Sequence, residues 1–203
     1  IKELMEEGIL KTPSIIGAFE KVDRKDFVPE ELEDKAYLNT PLPIGYGQTI
    51  SQPLTVAFML ELLQPQAGDK ILEVGSGSGW QTALLSHITG ESGKVFAVEL
   101  IPELEEFGRK NVSKYNFYKR KIAEFHSFNA TKGMPEEAPF DRIISAASGG
   151  EIPPAWKEQL AIGGRLVAPV RGSVFLLTRK SETEFKTEEY PGFAFVPLIS
   201  LSE

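Results

Sequence analysis

The sequence predicts an α/β fold with a mostly parallel, twisted sheet, helices on both of its faces and an antiparallel edge. Three observations support this prediction. Short apolar strand-like runs alternate with helix-patterned segments through the middle of the chain. A glycine-rich turn joins the first of these strands to the helix that follows it. Two further apolar runs are separated only by Arg171-Gly172, which is typical of a β-hairpin.

The elements follow in a regular order. Residues 1–35 have helical periodicity interrupted at Pro13, with a turn into a short extended piece over residues 23–29. Residues 40–53 read as an ordered loop rich in Gly and Pro. The predicted elements after this loop are a helix over 54–63, a strand over 70–74, a helix over 80–88, a strand over 94–100, a helix over 102–116, a strand over 141–145, a helix over 154–160, strands over 165–170 and 173–178, and an extended segment over 193–199. We expect a single domain over residues 1–203, in which residues 1–53 form a helical segment and loop and residues 54–203 carry the sheet.

Composition excludes several classes of protein. The chain has 203 residues, no cysteine and two histidines, which argues against a disulfide framework and against a thiolate or histidine-rich metal site. A net charge of -7 argues against broad affinity for nucleic acid. No apolar run approaches the roughly 20 residues that span a bilayer, and no signal-like segment is visible. We expect a cytoplasmic enzyme without a metal, and a monomer is the default.

The most informative local motif is Glu73-Val74-Gly75-Ser76-Gly77-Ser78-Gly79, which lies between a predicted strand and a predicted helix. Its spacing is Gly-x-Gly-x-Gly, whereas dinucleotide sites usually have Gly-x-Gly-x-x-Gly, which disfavours a nicotinamide-dependent oxidoreductase. Glu99 ends the next strand, where a carboxylate can accept hydrogen bonds from ribose hydroxyls. We therefore predict that the loop binds a nucleoside cofactor through Glu73, Gly75, Ser76, Gly77, Gly79 and Glu99. The alternative is an ordinary tight turn.

A longer motif carries a family resemblance. The segment Pro41-Leu42-Pro43-Ile44-Gly45-Tyr46-Gly47-Gln48-Thr49-Ile50-Ser51-Gln52-Pro53 closely resembles the signature loop of protein-L-isoaspartate O-methyltransferases. The resemblance continues at residues 8–9, 22–29, 72–82, 138–141, 152–153, 159–160, 163–167, 169–170 and 195–198. It implies a Rossmann-like class I methyltransferase fold with S-adenosyl-L-methionine as cofactor. It also implies methyl transfer to the free α-carboxyl of isoaspartyl residues in damaged peptides and proteins, which is protein repair.

The resemblance also assigns roles to individual residues. Ser51 corresponds to the active-site serine beside the methyl group and the acceptor carboxylate, and Thr49 and Ile50 to the adjoining wall. Val196, Pro197 and Leu198 correspond to residues that contact an extended peptide through their backbone. The alternative for Ser51 is a helix cap near Pro53, a common position for serine. Trp80, directly after the glycine loop, is expected either to touch the cofactor or to pack on the sheet.

Some positions depart from the family pattern. Asn129-Ala130 stands where the family commonly has Asp-Gly, whose acid contacts the adenine amino group; asparagine can still accept a hydrogen bond there but carries no charge. Asn39, residues 148–150 and Arg171 also differ from the usual residues. Two alternatives therefore remain open: a methyltransferase of the same fold that acts on another carboxylate or a small molecule, and a non-catalytic cofactor-binding relative.

Overall fold

A computed structural model describes residues 1–199. The α-helices are α1 (Lys2–Glu6), α2 (Pro13–Lys21), α3 (Pro53–Leu63), α4 (Trp80–Thr89), α5 (Pro102–Ser113) and α6 (Pro154–Gln159). The strands are β1 (Leu42–Gly45), β2 (Gln48–Ile50), β3 (Lys70–Val74), β4 (Lys94–Glu99), β5 (Ala123–Ser127), β6 (Phe140–Ser145), β7 (Leu160–Val170), β8 (Ser173–Arg179) and β9 (Phe185–Pro191). Short 3-10 turns occupy Arg24–Phe27, Glu30–Lys35, Ala130–Lys132 and Pro135–Glu137.

Strand β3 lies at the centre of a seven-stranded sheet with the order β5-β4-β3-β6-β7-β8-β9. The five strands β5, β4, β3, β6 and β7 are parallel to one another, whereas β8 and β9 add an antiparallel edge. The chain first winds from β3 to β4 and β5, and then returns to the other side of β3 as β6. Ligands of such sheets bind at this reversal, outside the carboxyl ends of the strands. The predicted fold class is confirmed.

The central strands read as apolar runs because both of their faces are buried. Successive residues pack on opposite faces of the sheet: Ile71 belongs to the core on the side of helices α2 to α5, and Leu72 to the core on the side of α6. Val95 and Phe96 on β4 divide in the same way. Two packed layers thus hold β3 and β4 rigidly and fix the positions of the loops at their carboxyl ends.

The structure corrects the sequence prediction at three places. Strands β5 and β9 were not predicted, because both are edge strands with a solvated face and therefore lack a continuous apolar run. Residues 30–35, expected to be helical, form a 3-10 turn, and residues 24–27 form another within the predicted turn over 23–29. Residues 40–53, expected to be a loop, contain the antiparallel β1–β2 hairpin, whose turn residues Tyr46 and Gly47 have φ of 53° and 71°.

The carboxyl-terminal residues 193–199, here called the C-terminal strap, run extended but join no regular strand. A single parallel bridge connects Pro197 to Ser148. The predicted β7–β8 hairpin is confirmed, and Arg171 and Gly172 form its turn with φ of 48° and 87°. Across residues 1–199, no helix combines the length and the apolar character needed to cross a membrane.

Candidate functional site

A cleft opens at the carboxyl ends of β3, β4 and β6, where the order of the strands reverses. Its volume is about 690 Å³, open mouth included. The residues that line it are Ile44, Gln48, Thr49, Val74, Gly75, Gly77, Val98, Glu99, Leu100, Ile101, Phe128, Asn129, Ala130, Ala146, Ala147, Val196, Pro197, Leu198 and Ile199. The glycine loop, the hairpin of residues 40–53 and the C-terminal strap therefore share one cleft, although they are distant in sequence.

The glycine loop leaves β3 through backbone that favours glycine. Gly75 and Gly77 have φ of 83° and 49°, and both line the cleft. Gly75 N–H donates to the Val98 carbonyl at 2.8 Å, which ties the loop to the neighbouring strand. Gly79, with φ of 82°, lies away from the cleft, and a Cβ there would stand 2.7 Å from the Gly108 carbonyl oxygen. The first two glycines thus expose backbone to a ligand, whereas the third allows α4 and α5 to pack closely.

Glu99 braces the same loop. One of its carboxylate oxygens accepts from Gly77 N–H at 2.9 Å, and the other from Leu100 N–H at 2.8 Å and Ile101 N–H at 3.1 Å. The residue is 8% exposed and lines the cleft. Because a carboxylate can accept about four hydrogen bonds, this one retains capacity for a ligand hydroxyl. Its position fits the predicted contact with a ribose.

Glu73 does not line the cleft, although the sequence suggested a cofactor contact. It is 0% exposed and faces α4, where its carboxyl accepts from Thr82 Oγ1 at 2.6 Å and Gln81 Nε2 at 3.2 Å. Burial raises the pKa of Glu73 to about 8. The Glu73 side chain therefore connects β3 to α4 on the side of the sheet away from the cleft. Its carboxyl group is largely protonated at neutral pH.

A small cavity separates the glycine loop from residues 40–53, here called the acceptor loop. Its lining residues are Thr49, Ile50, Ser51, Val56, Gly75, Ser76, Gly77, Ser78, Trp80, Gln81 and Ala146. The Ser76 hydroxyl is buried against it and has no hydrogen-bond partner within residues 1–199. An unsatisfied buried hydroxyl is costly, and a polar ligand group would satisfy it. This cavity therefore fits the polar end of a cofactor that occupies the cleft.

A pocket on the other side of the acceptor loop, here called the acceptor pocket, is lined by Pro41, Thr49, Ser51, Gln52, Thr55, Ala146, Ala194, Phe195 and Val196. None of these residues is charged. Thr49 also lines the main cleft, and Ser51 also lines the small cavity. Ser51 and Thr49 are therefore the residues at which the spaces for cofactor and acceptor meet. Ile50 is buried in the core and touches only the small cavity.

Ser51 does not cap α3. The N-cap residue is Gln52, and the Asn39 side chain accepts instead from Leu54 N–H at 3.0 Å. The Ser51 carbonyl accepts from Arg24, while its hydroxyl has no hydrogen-bond partner within residues 1–199. The alternative interpretation of Ser51 as a helix cap is therefore wrong, and the hydroxyl is available to a ligand.

The C-terminal strap closes one side of the cleft. Ser148 N–H donates to the Val196 carbonyl, and Leu198 N–H donates to the Ser148 carbonyl, both at 2.8 Å. Asn129, followed by Ala130 at the cleft wall, accepts from Thr131 N–H at 3.0 Å and donates through Nδ2 to the Ile199 carbonyl at 3.3 Å. The Asn129 amide thus makes a contact with the strap that a carboxylate could not make, because a carboxylate has no donor.

Sequence reasoning missed several residues of the site. Phe128, Ala146 and Ala147 line the cleft, yet their residue types carry no chemical signal. Trp80, for which cofactor contact and packing were both open, packs edge-to-face on Phe19 with ring centroids 5.5 Å apart and touches the small cavity but not the cleft. Arg24 was also missed. Its sequence neighbours Asp23 and Lys25 are both charged, so no local pattern indicates that Arg24 is buried.

A parallel sheet whose strand order reverses beside β3, the glycine loop and the acidic last residue of β4 define the class I methyltransferase fold. A solved protein-L-isoaspartate O-methyltransferase shares it with a TM-score of 0.87 and 25% identity, over 97% of this chain and 64% of that one. A second, described as a putative enzyme of this kind from Plasmodium falciparum in complex with S-adenosyl-L-homocysteine, has a TM-score of 0.87 and 24% identity over 98% of this chain and 95% of that one.

The model of the protein-L-isoaspartate(D-aspartate) O-methyltransferase family matches residues 1–203, and the chain belongs to that family. A Methanopyrus kandleri protein-L-isoaspartate O-methyltransferase is 41% identical over 98% of this chain and 89% of its own length. A relative of the same name from Methanothrix thermoacetophila is 45% identical over 91% of this chain and 87% of its own length.

Proposed function

We propose that this protein transfers a methyl group from S-adenosyl-L-methionine to the free α-carboxyl of isoaspartyl residues in damaged peptides and proteins. The observation that carries the proposal is the junction at Thr49 and Ser51, where a cofactor-sized cleft meets a separate uncharged pocket. Family membership and the S-adenosyl-L-homocysteine bound to the Plasmodium falciparum protein support the identity of the cofactor.

The cleft residues fit this cofactor in three places. Gly75 and Gly77 would let it approach the backbone, and Glu99 would accept from its ribose hydroxyls. Asn129 Oδ1 already accepts from Thr131 N–H and has a second lone pair for the adenine amino group. Ser51 and the unpartnered Ser76 would face its amino-acid end. When bound, the cofactor supplies a sulfonium-activated methyl group for in-line displacement.

The protein's own part in the reaction is to hold the acceptor. A carboxyl group with a pKa near ~4 is ionised at neutral pH, so it attacks without a strong general base. The Ser51 hydroxyl would donate to one carboxylate oxygen and leave the other directed at the methyl carbon. Alignment of this kind supplies much of the acceleration in a displacement between two bound groups. The uncharged lining also avoids an ion pair that would hold the carboxylate away from the methyl group.

The C-terminal strap is proposed to contact the peptide on either side of the damaged residue. Val196 belongs to both the cleft and the acceptor pocket, and Pro197 and Leu198 continue along the cleft. The Val196 carbonyl and the Leu198 N–H are already bonded to Ser148. A peptide would therefore have to use the remaining backbone groups of the strap, of which the Pro197 carbonyl is one.

A paired-peptide assay tests the proposal. The protein is incubated with S-adenosyl-L-methionine labelled in its methyl group and with an isoaspartyl peptide or its normal aspartyl twin. We expect base-labile methyl ester on the isoaspartyl peptide only. Transfer to neither peptide, with S-adenosyl-L-homocysteine binding measured by calorimetry, would contradict the proposal and favour another acceptor. Absence of cofactor binding would favour a non-catalytic relative. A cytoplasmic, monomeric enzyme that binds neither nucleic acid nor membranes remains a prediction.

A further inference from the structure

Arg24 is a buried cation without a carboxylate partner. It is 4% exposed, and within residues 1–199 its guanidinium forms no ion pair. All of its hydrogen bonds go to backbone carbonyls, and its Nε is buried without a partner. Burial lowers the pKa of Arg24 to about 10, so the group is still charged at neutral pH. Neutral acceptors therefore stabilise a full positive charge beneath the acceptor loop.

Three of the carbonyls that Arg24 contacts belong to residues 36–40, and the fourth belongs to Ser51 near the end of the acceptor loop. Its Nη1 donates to Ala36 at 2.6 Å and to Leu38 at 3.3 Å. Its Nη2 donates to Thr40 and to Ser51, both at 3.0 Å. Thr40 and Ser51 stand on opposite sides of the β1–β2 hairpin, so a single nitrogen joins the two ends of the acceptor loop.

The guanidinium also connects this loop to the cofactor side of the site. Its central carbon lies 5.3 Å from the centroid of the Trp80 ring, within the range of a cation–π contact. Trp80 is the first residue of α4 and follows the glycine loop directly. Arg24 thus touches the acceptor loop at Ser51 and the cofactor side at Trp80.

A contribution to folding stability does not explain why a guanidinium is buried at this position. A buried charge costs several kcal/mol, and well-packed apolar groups usually stabilise a core at least as well. An arginine offers a planar fork that reaches acceptors from two separate Nη atoms, whereas lysine radiates its donors from one nitrogen. Only arginine can hold both Thr40 and Ser51 while it also holds Ala36 and Leu38.

We propose that Arg24 is the positioning residue for Ser51: by joining the two ends of the acceptor loop, it fixes the Ser51 hydroxyl between the cofactor cleft and the acceptor pocket. This inference rests on the proposed function, because it gives Ser51 a task in methyl transfer. Arg24 itself lines neither the cleft nor the acceptor pocket. Its effect on the reaction passes through the Ser51 backbone.

The substitution Arg24→Lys keeps the charge and loses the fork. Since a displacement of about 1 Å can cost about 100-fold in rate, we expect kcat to fall by about 10- to 100-fold. The dissociation constant of S-adenosyl-L-homocysteine should stay within about threefold, because no ligand contact is removed. A kcat within twofold of the wild type would overturn the inference. So would a loss confined to cofactor affinity.

The chain provides a matched control in Arg179. This arginine also donates to backbone carbonyls, among them Glu158 at 3.0 Å and Ser181 at 3.1 Å, and it lies over the Phe185 ring at 5.8 Å. Arg179 is the last residue of β8 and lies beside the amino-terminal end of β7. This is the end of the parallel strands that faces away from the cleft. Arg179→Lys should lower thermal stability and leave kcat within twofold. An equal loss of kcat in both variants would show that Arg24 is merely structural.

Chemical rescue distinguishes loss of the guanidinium that positions Ser51 from a general folding defect. Arg24 borders an open groove, lined also by Glu3, Glu7, Tyr37 and Asn39, through which a small cation can enter. Ethylguanidinium at millimolar concentration should restore kcat of Arg24→Ala at least fivefold, and ethylammonium should not. Equal rescue by both cations would indicate a need for charge alone. Rescue by neither would overturn the proposed role of the fork.

Hydrogen exchange distinguishes failure of this inference from failure of the proposed function. If the wild type methylates no isoaspartyl peptide, the proposed function fails, yet the structural claim can still be measured. Arg24→Lys should speed exchange of the amides of residues 48–51 at least tenfold and leave those of β4 unchanged. Unchanged exchange in the acceptor loop would overturn the inference whether or not the enzyme is active.

Discussion

The two walls of the site are built in different ways. The cofactor wall, formed by the Gly75–Gly79 loop and Glu99, belongs to the central strands and is fixed by bonds between near neighbours in the sheet. The acceptor wall, formed by the acceptor loop and the C-terminal strap, lies outside the main sheet. Side chains from elsewhere in the sequence hold it: Arg24 and Asn129 bond to its backbone, and Asn39 bonds to Leu54 N–H directly after the acceptor loop.

This difference indicates how each wall acts. The cofactor wall needs only a strand, a turn and a helix in the correct order, so many α/β proteins can build one. The acceptor wall must hold the Ser51 hydroxyl between the cofactor side of the site and the acceptor pocket. Its short β1–β2 hairpin needs contacts with other side chains to do so. Changes in the cofactor wall should therefore affect folding and cofactor binding. Changes in the acceptor wall should affect turnover or release of the cofactor.

The largest effect is expected at Glu73, behind the cofactor wall. Its folded-state pKa is raised to about 8 from 4.5, so between these values only the unfolded state is ionised. Its contribution to stability is thus fully present below pH 4.5 and is lost as pH rises through 8, by at most about 1.4 kcal/mol per pH unit.

Glu73→Gln imitates the protonated side chain, because its amide can donate to Thr82 and accept from Gln81. Urea unfolding of wild type and variant from pH 5 to pH 9 measures the difference. We expect the free energy of unfolding of the variant to fall less with pH, so that the variant gains on the wild type at alkaline pH. Parallel pH profiles for the two proteins would contradict a protonated Glu73.

A somewhat smaller effect should follow from Gly79→Ala. Gly79 and Gly163 both have φ of 82°, a left-handed value that strains alanine at either position. A Cβ at Gly79 would stand 2.7 Å from the Gly108 carbonyl oxygen, whereas nothing lies within 4 Å of one at Gly163. We expect Gly79→Ala to be less stable than Gly163→Ala by about 2 kcal/mol, the usual cost of overpacking. Equal losses in thermal unfolding would mean that α4 and α5 can separate freely.

The contrast between the walls also explains what the sequence could predict. Strands β3, β4 and β6 and the β7–β8 hairpin were predicted because buried strands and a two-residue turn leave local patterns. The glycine loop and Glu99 were predicted for the same reason. Strands β5 and β9 were missed because each is an edge strand with one solvated face and no continuous apolar run. Glu73 was assigned to the cofactor because the pattern gives the position of an acid but not the direction of its side chain.

The roles of individual residues in the acceptor wall were accessible only through family resemblance. Nothing in the spacing around Ser51 indicates a site, and the physical reasoning alone left a helix cap open. Asn39 takes that capping position from fifteen residues away in sequence. Arg24 contacts carbonyls up to 27 residues away, and a backbone carbonyl carries no residue identity that a pattern could reveal. Interactions of side chains with distant backbone are therefore the part of the site that a single sequence conceals.

In the acceptor wall, Ser51→Ala should give the next largest effect after Gly79→Ala, and it should be confined to turnover. Loss of one hydrogen bond to a charged group is worth about 1.5–3 kcal/mol, so we expect kcat to fall by about 10- to 100-fold. Calorimetry with S-adenosyl-L-homocysteine should give an affinity within about threefold of the wild type, because Glu99 and the glycine loop are intact. A collapse of cofactor affinity at unchanged kcat would move Ser51 from the acceptor wall to the cofactor wall.

The smallest effect is expected from Asn129→Asp. An aspartate keeps the bond from Thr131 N–H but cannot donate to the Ile199 carbonyl, so the variant removes only the contact with the C-terminal strap. That contact is exposed and 3.3 Å long, and such a bond contributes about 0.5 kcal/mol or slightly more. Stopped-flow measurement should therefore show S-adenosyl-L-homocysteine leaving about two- to fivefold faster. Slower release would mean that the new charge binds the adenine end more strongly than the amide holds the strap, and that Asn129 belongs with the cofactor wall.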